Sequence, residues 1–158
     1  MKKYKQFIFI GILTILTLSF SKKSIAHCEI PCGIYEDTLR IELIKEHITT
    51  IEKSMKMILE LSNDEEPNYN QIVRWVNNKE DHANKLQDIV GQYFLNQRIK
   101  PVEPASDKYQ KYIKQLSLLH ELLVYSMKAK QTTDLLYTEK LRTTILAFEK
   151  DYFHTHKH

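Results

Sequence analysis

From residue 37 onwards, apolar side chains recur every three or four positions, the period of an α-helix with one buried face. Ile41, Ile44, Ile48, Ile51, Met55 and Ile58 form the first stripe. They predict a helix over 37–61, with Asp37 or Thr38 as its N-cap. The polar run 62–68 contains Pro67 and reads as a loop. Ile72, Val76, Ala83, Leu86, Val90 and Tyr93 make a second stripe over 69–96, widened by Trp75, Ile89 and Phe94. Gly91 is the weak point of that helix, because glycine loses the most backbone freedom on becoming helical. Pro101 and Pro104 make residues 100–106 a stiff, extended connector.

A third helix is expected to start at Ser106 or Asp107 and run to 130, with Tyr112, Leu116, Leu119, Leu123 and Met127 on its apolar face. Residues 131–134 are polar. A fourth helix then runs to 153, with Leu141, Ile145, Phe148 and Tyr152 in step. No strand-like alternation and no internal repeat interrupts this order. Four amphipathic helices joined by short loops predict an all-α fold, a four-helix bundle over 36–153.

The first 26 residues follow a different pattern. Lys2, Lys3 and Lys5 precede an apolar run from Phe7 to Leu18, and Ser24-Ile25-Ala26 is a small-x-small sequence. That order is the one a secretory signal peptide has. The apolar run falls short of the roughly 20 residues that a spanning helix needs. Cleavage after Ala26, export to the periplasm or extracellular space, and no stable membrane insertion after processing are the expectations. Processing also changes the charge. Loss of five lysines and no acids leaves 18 basic against 20 acidic side chains, a net charge of −2. The mature domain therefore offers no electrostatic case for nucleic-acid binding. Only three glycines are present, with no phosphate-binding loop, which argues against a dinucleotide fold.

Cleavage after Ala26 would put His27 first in the segment His27-Cys28-Glu29-Ile30-Pro31-Cys32-Gly33-Ile34-Tyr35. Both cysteines of the chain lie here. In an exported protein two cysteines suggest a disulfide, yet a bridge over so short a loop restrains little of the unfolded chain. A disulfide and a metal site both fit the spacing. As a metal site the segment is rich in donors: an α-amine with an ordinary pKa near 8, an imidazole, the Cys28 amide and two thiolates. Nitrogen and sulfur donors in a plane favour nickel or copper, whereas zinc prefers a tetrahedron and has no redox chemistry. Pro31 sets the turn that returns Cys32 towards Cys28, and Gly33 suits the exit from that turn.

The motif His27-Cys28-x-x-Pro31-Cys32-Gly33-x-Tyr35 resembles the N-terminal hook of the nickel superoxide dismutase family. Arg40-Ile41-Glu42, Lys79-Glu80 with Ala83, Tyr93-Phe94 and Lys108-Tyr109 extend the likeness along most of the chain. The resemblance implies a four-helix bundle assembled as a homohexamer. It also implies one redox-active nickel ion per subunit, cycling between Ni(II) and Ni(III). Superoxide is the implied substrate, oxidised to dioxygen in one half-reaction and reduced to hydrogen peroxide in the other. By the same resemblance His27, Cys28 and Cys32 are the metal ligands, and Tyr35 lines substrate access. Glu42 matches the residue that orients the axial imidazole. Glu29 stands where the best-known members have aspartate, and His82 where some have an arginine supporting that imidazole.

Other polar residues read more plainly. His47 and His120 are expected to pack at the edge of the core, and Glu42 and Glu46 to share a solvated face. Glu80-Asp81-His82 and His120-Glu121 lack the spacing of a bundle-core diiron site. The tail 154–158 holds three histidines and is expected to bind metal unspecifically. Two alternatives to the enzyme remain at this point. One is an exported nickel- or copper-binding or metal-delivery protein without turnover. The other is a helical interaction module with a Cys28–Cys32 disulfide.

Overall fold

The computed structural model describes residues 36–153. Helix α1 is Asp37–Ser62 and α2 is Tyr69–Asp88. Helix α2 continues without a break into a π-helical stretch, Ile89–Arg98. Helix α3 is Tyr109–Gln131 and α4 is Leu136–Phe153. No strand occurs among the described residues. The helices form the expected bundle: α1 packs on α2 and α4, α3 packs on α2 and α4, and successive helices run in opposite directions. No described helix is long and apolar enough to cross a membrane.

The stripes of α1 and α4 fall where the periodicity puts them. Ile41, Ile44, Ile48, Ile51, Met55 and Ile58 are buried, as are Leu141, Ile145, Phe148 and Tyr152. In α2 the buried positions are Lys79, Ala83 and Leu86, while Ile72 and Val76 are only half-buried. The α3 face is turned from the expected one. Gln115, Leu119, Leu122, Ser126 and Ala129 point inward, and Met127 is 41% exposed. Tyr112, Leu116 and Leu123 flank the core as partly buried neighbours.

Lys79 explains part of this arrangement. It occupies the stripe position between Val76 and Ala83 and is 4% exposed. Its ammonium donates to the carbonyls of Ala129 at 2.9 Å and Thr132 at 3.3 Å, and to that of Lys130. The last turn of a helix has carbonyls without intrahelical partners and a partial negative charge, so a buried cation is well placed against it. Lys79 thus closes the end of α3.

Helix starts differ in detail from the sequence expectation. Helix α2 has a side-chain cap, since Asn68 Oδ1 accepts from Gln71 N at 3.2 Å. Helix α3 begins at Tyr109, after a turn over 103–106 in which Ser106 N donates to Glu103 O at 2.9 Å. Asp37 is not the N-cap of α1. It is the first helical residue, Glu36 precedes it without a side-chain capping bond, and the Asp37 carboxylate bonds to other elements.

Candidate metal centre and its scaffold

His27, Cys28, Cys32 and Tyr35, with the rest of 1–35 and residues 154–158, lie outside the described residues. The bundle over 36–153 is described. At one end of it the Asp37 carboxylate gathers two phenol donors and a guanidinium from two other elements. Tyr152 of α4 donates to Oδ2 at 2.7 Å, and Arg98 Nε pairs with Oδ1 at 2.8 Å. Tyr93 also donates to Oδ1, and Arg98 Nη2 donates to the Tyr93 hydroxyl at 2.8 Å.

The π-helical winding makes this convergence possible. Residues five apart on an α-helix lie about 140° apart around its axis. A winding with i→i+5 bonds brings them onto one face. Tyr93 and Arg98 are five apart, and the Arg98 guanidinium lies 4.9 Å from the Tyr93 ring centre. Arg40 of α1 covers the ring as well, at 5.1 Å. An aromatic cluster supports the arrangement. Phe94 meets Phe148 edge-on at 5.1 Å and Tyr152 at 5.7 Å, distances at which ring edges attract ring faces.

These contacts set the protonation states. Burial pushes the Asp37 pKa up, but hydrogen bonds from Tyr93 and Tyr152 and the charge of Arg98 outweigh it and hold the carboxyl below its ordinary value. Burial and the Asp37 carboxylate push both phenols above theirs. At neutral pH the cluster is therefore one carboxylate, one guanidinium and two neutral phenols.

Glu42 and His82 are placed apart in their contacts. Glu42 is on an exposed face, its side chain 57% accessible, and pairs with Lys45 at 2.8 Å. Lys45 also pairs with Glu149 of α4 at 2.8 Å. His82 is half-buried between α1 and α2, with its Nδ1 3.0 Å from Nδ1 of His47. No described contact joins Glu42 to His82. His47 is half-buried, close to the expected edge position, whereas His120 is exposed rather than packed. Glu46 is exposed, as expected of a solvated face. Among the described residues no three of His, Cys, Asp and Glu are grouped to hold a metal ion.

Sequence reading did not find the Asp37 cluster. Asp37 looked like an ordinary cap, and Tyr93 and Tyr152 looked like members of apolar stripes. The available signal was topological. In an up-down bundle the start of α1 and the ends of α2 and α4 share one pole, so an acid and two tyrosines at those positions meet.

A sequence model of the nickel-containing superoxide dismutases matches residues 22–157, most of the chain. The chain belongs to that family. No curated protein and no solved structure matches it. As a nickel superoxide dismutase it is an oxidoreductase whose substrate is superoxide, and its all-α bundle accords with the match. Nickel is the metal that membership implies. The residue types in 27–32 fit it chemically, since cysteine thiolates and a histidine imidazole are sulfur and nitrogen donors of the kind that nickel takes.

Proposed function

We propose that this nickel superoxide dismutase is exported, cleaved after Ala26, and holds its metal through His27, Cys28 and Cys32. The family match over 22–157, which takes in both cysteines, carries this reading. The ligands are the His27 amine and imidazole, the Cys28 amide and thiolate, and the Cys32 thiolate. Bound nickel supplies a one-electron couple, Ni(II)/Ni(III), so that two superoxide ions and two protons give dioxygen and hydrogen peroxide. The chain's task is to make that couple accessible. Anionic thiolates favour the higher oxidation state, and an α-amine is a ligand that only cleavage creates.

Tyr35 stands three residues after the last thiolate, close enough to restrict access to the metal and to hold water there. Glu42 and His82 are proposed to support the His27 imidazole. His82 spends Nδ1 on His47, which leaves Nε2 as the nitrogen for that task. We also propose one nickel per subunit in a homohexamer. Exposed apolar side chains, including Tyr69 at 72% and Val73 at 55%, support burial of part of the bundle surface against other copies.

Intact mass, nickel content and superoxide turnover of the exported protein test the reading together. The expected result is a chain starting at His27, with one nickel per subunit and rapid turnover. A single extra residue ahead of His27 in fully active protein would overturn the amine ligand. Bound nickel without turnover would favour a metal carrier, and a 2 Da mass loss without metal a disulfide module.

A further inference from the structure

We propose that Asp37 and Arg98 are positioning residues for the metal-binding segment, fixing where the chain leaves the bundle and in which direction. This inference rests on the ligand assignment above and extends it to residues outside the hook motif.

Covalent geometry ties the two together. Asp37 is five residues from Cys32 and two from Tyr35. Five extended residues span at most about 18 Å, so the Asp37 and Cys32 Cα atoms lie within that distance of each other along any path. Whatever orients the first turn of α1 therefore sets the origin of the segment.

The contacts exceed what an ordinary helix start requires. A helix N-terminus is usually satisfied by one capping side chain bonding its own free N–H groups. Here Asp37 turns to Tyr93 and Arg98 of the π-helical stretch and Tyr152 of α4. Three elements are joined at one carboxylate. The π-helical winding that aligns Tyr93 with Arg98 is rare, and such windings occur frequently at functional sites. Two open clefts border the cluster. One of about 360 Å³ is lined by Arg98, Lys111 and Tyr152 among others, and one of about 620 Å³ by Glu36, Asp37, Thr38, Arg98 and Phe153. The carboxylate is thus held between open spaces rather than sealed in the core, as a mooring point for an emerging chain would be.

The test compares Asp37→Asn, Arg98→Gln and Tyr152→Phe with Lys79→Met, which destabilises the opposite end of the bundle. Two quantities are read: nickel release into a chelator with the electron paramagnetic resonance spectrum of the oxidised protein, and hydrogen exchange of amides 38–41 in metal-free protein. Nickel should leave Asp37→Asn and Arg98→Gln at least tenfold faster than wild type, with an altered spectrum. Tyr152→Phe should fall between, and amide exchange at 38–41 should rise in the same order. Lys79→Met should release nickel at the wild-type rate although it melts earlier. Unchanged release and spectrum in Asp37→Asn, with nickel bound normally by wild type, would overturn the positioning role alone. So would release that merely follows melting temperature across all four variants. Wild-type protein that takes up no nickel would overturn the ligand assignment and the positioning role together.

Discussion

Nδ1 of His47 on α1 lies 3.0 Å from Nδ1 of His82 on α2, and the two rings meet nearly edge to face at 74°. At that separation one ring must donate a proton and the other accept it. Both histidines have lowered pKa values. For His47 the causes are burial and then the charge of His82, opposed by Glu46. For His82 they are burial and then Lys85, opposed by Glu46 and Asp81. The pair is therefore neutral at neutral pH.

The sign of its pH dependence follows. Near and below the unfolded histidine pKa of about 6.5, the unfolded chain binds more protons than the folded one. Stability should fall as pH drops through that value towards the lower folded values. Urea midpoints measured on metal-free protein between pH 8 and 5 should show this loss. His47→Gln with His82→Gln should flatten it. An equally steep acid limb in the double variant would assign the loss to the carboxylates instead.

Lys79→Met keeps the length of the side chain but removes the donor that closes α3. The carbonyls of Ala129, Lys130 and Thr132 lose a charged partner in a buried place. Loss of such a bond costs about 1.5–3 kcal/mol. The urea midpoint should drop accordingly with an unchanged slope. A wild-type midpoint would mean that water serves those carbonyls as well as the ammonium does.

Gly91 has nothing within 4 Å of where a Cβ would stand. Alanine there should stabilise the protein by about 0.4–1 kcal/mol by restricting the unfolded chain. A lower melting temperature for Gly91→Ala would show that the π-helical winding itself needs glycine at that position.

Cys28→Ser and Cys32→Ser should abolish nickel-dependent turnover and leave the helical circular dichroism within a few per cent of wild type. The described core includes neither residue. Tyr35→Phe should lower turnover more than nickel content. Collapse of the helices in the cysteine variants, or metal loss in Tyr35→Phe, would contradict this division between scaffold and centre.

Much of the bundle was legible because apolar spacing is a direct consequence of helical geometry. Ile41 to Ile58 and Leu141 to Tyr152 could be assigned to the core without any contact map. The α3 face was misread because its inward positions include Gln115, Ser126 and Ala129. Size and polarity there are set by the neighbouring helix, which a single stripe does not encode. The burial of Lys79 was not legible for the same reason, since its partners are carbonyls fifty residues away. The π-helical winding left no mark in the composition of 89–98. The family, by contrast, was legible in residue types and their spacing, and the match over 22–157 bears it out. The contacts of Glu42 with Lys45 and of His82 with His47 were not legible, because they join side chains whose pairing depends on how α1 and α2 pack.

The hydrogen bond from Tyr152 to Asp37 joins the last turn of the final helix to the first turn of the initial one. Both ends of the described chain therefore sit at a single pole. An affinity tag reached through the end of α4 would therefore leave the bundle at the pole where α1 begins, and a polyhistidine tag would bring extra imidazoles there. Purification handles belong in the loop 63–68, which lies at the far pole from both ends of the described chain.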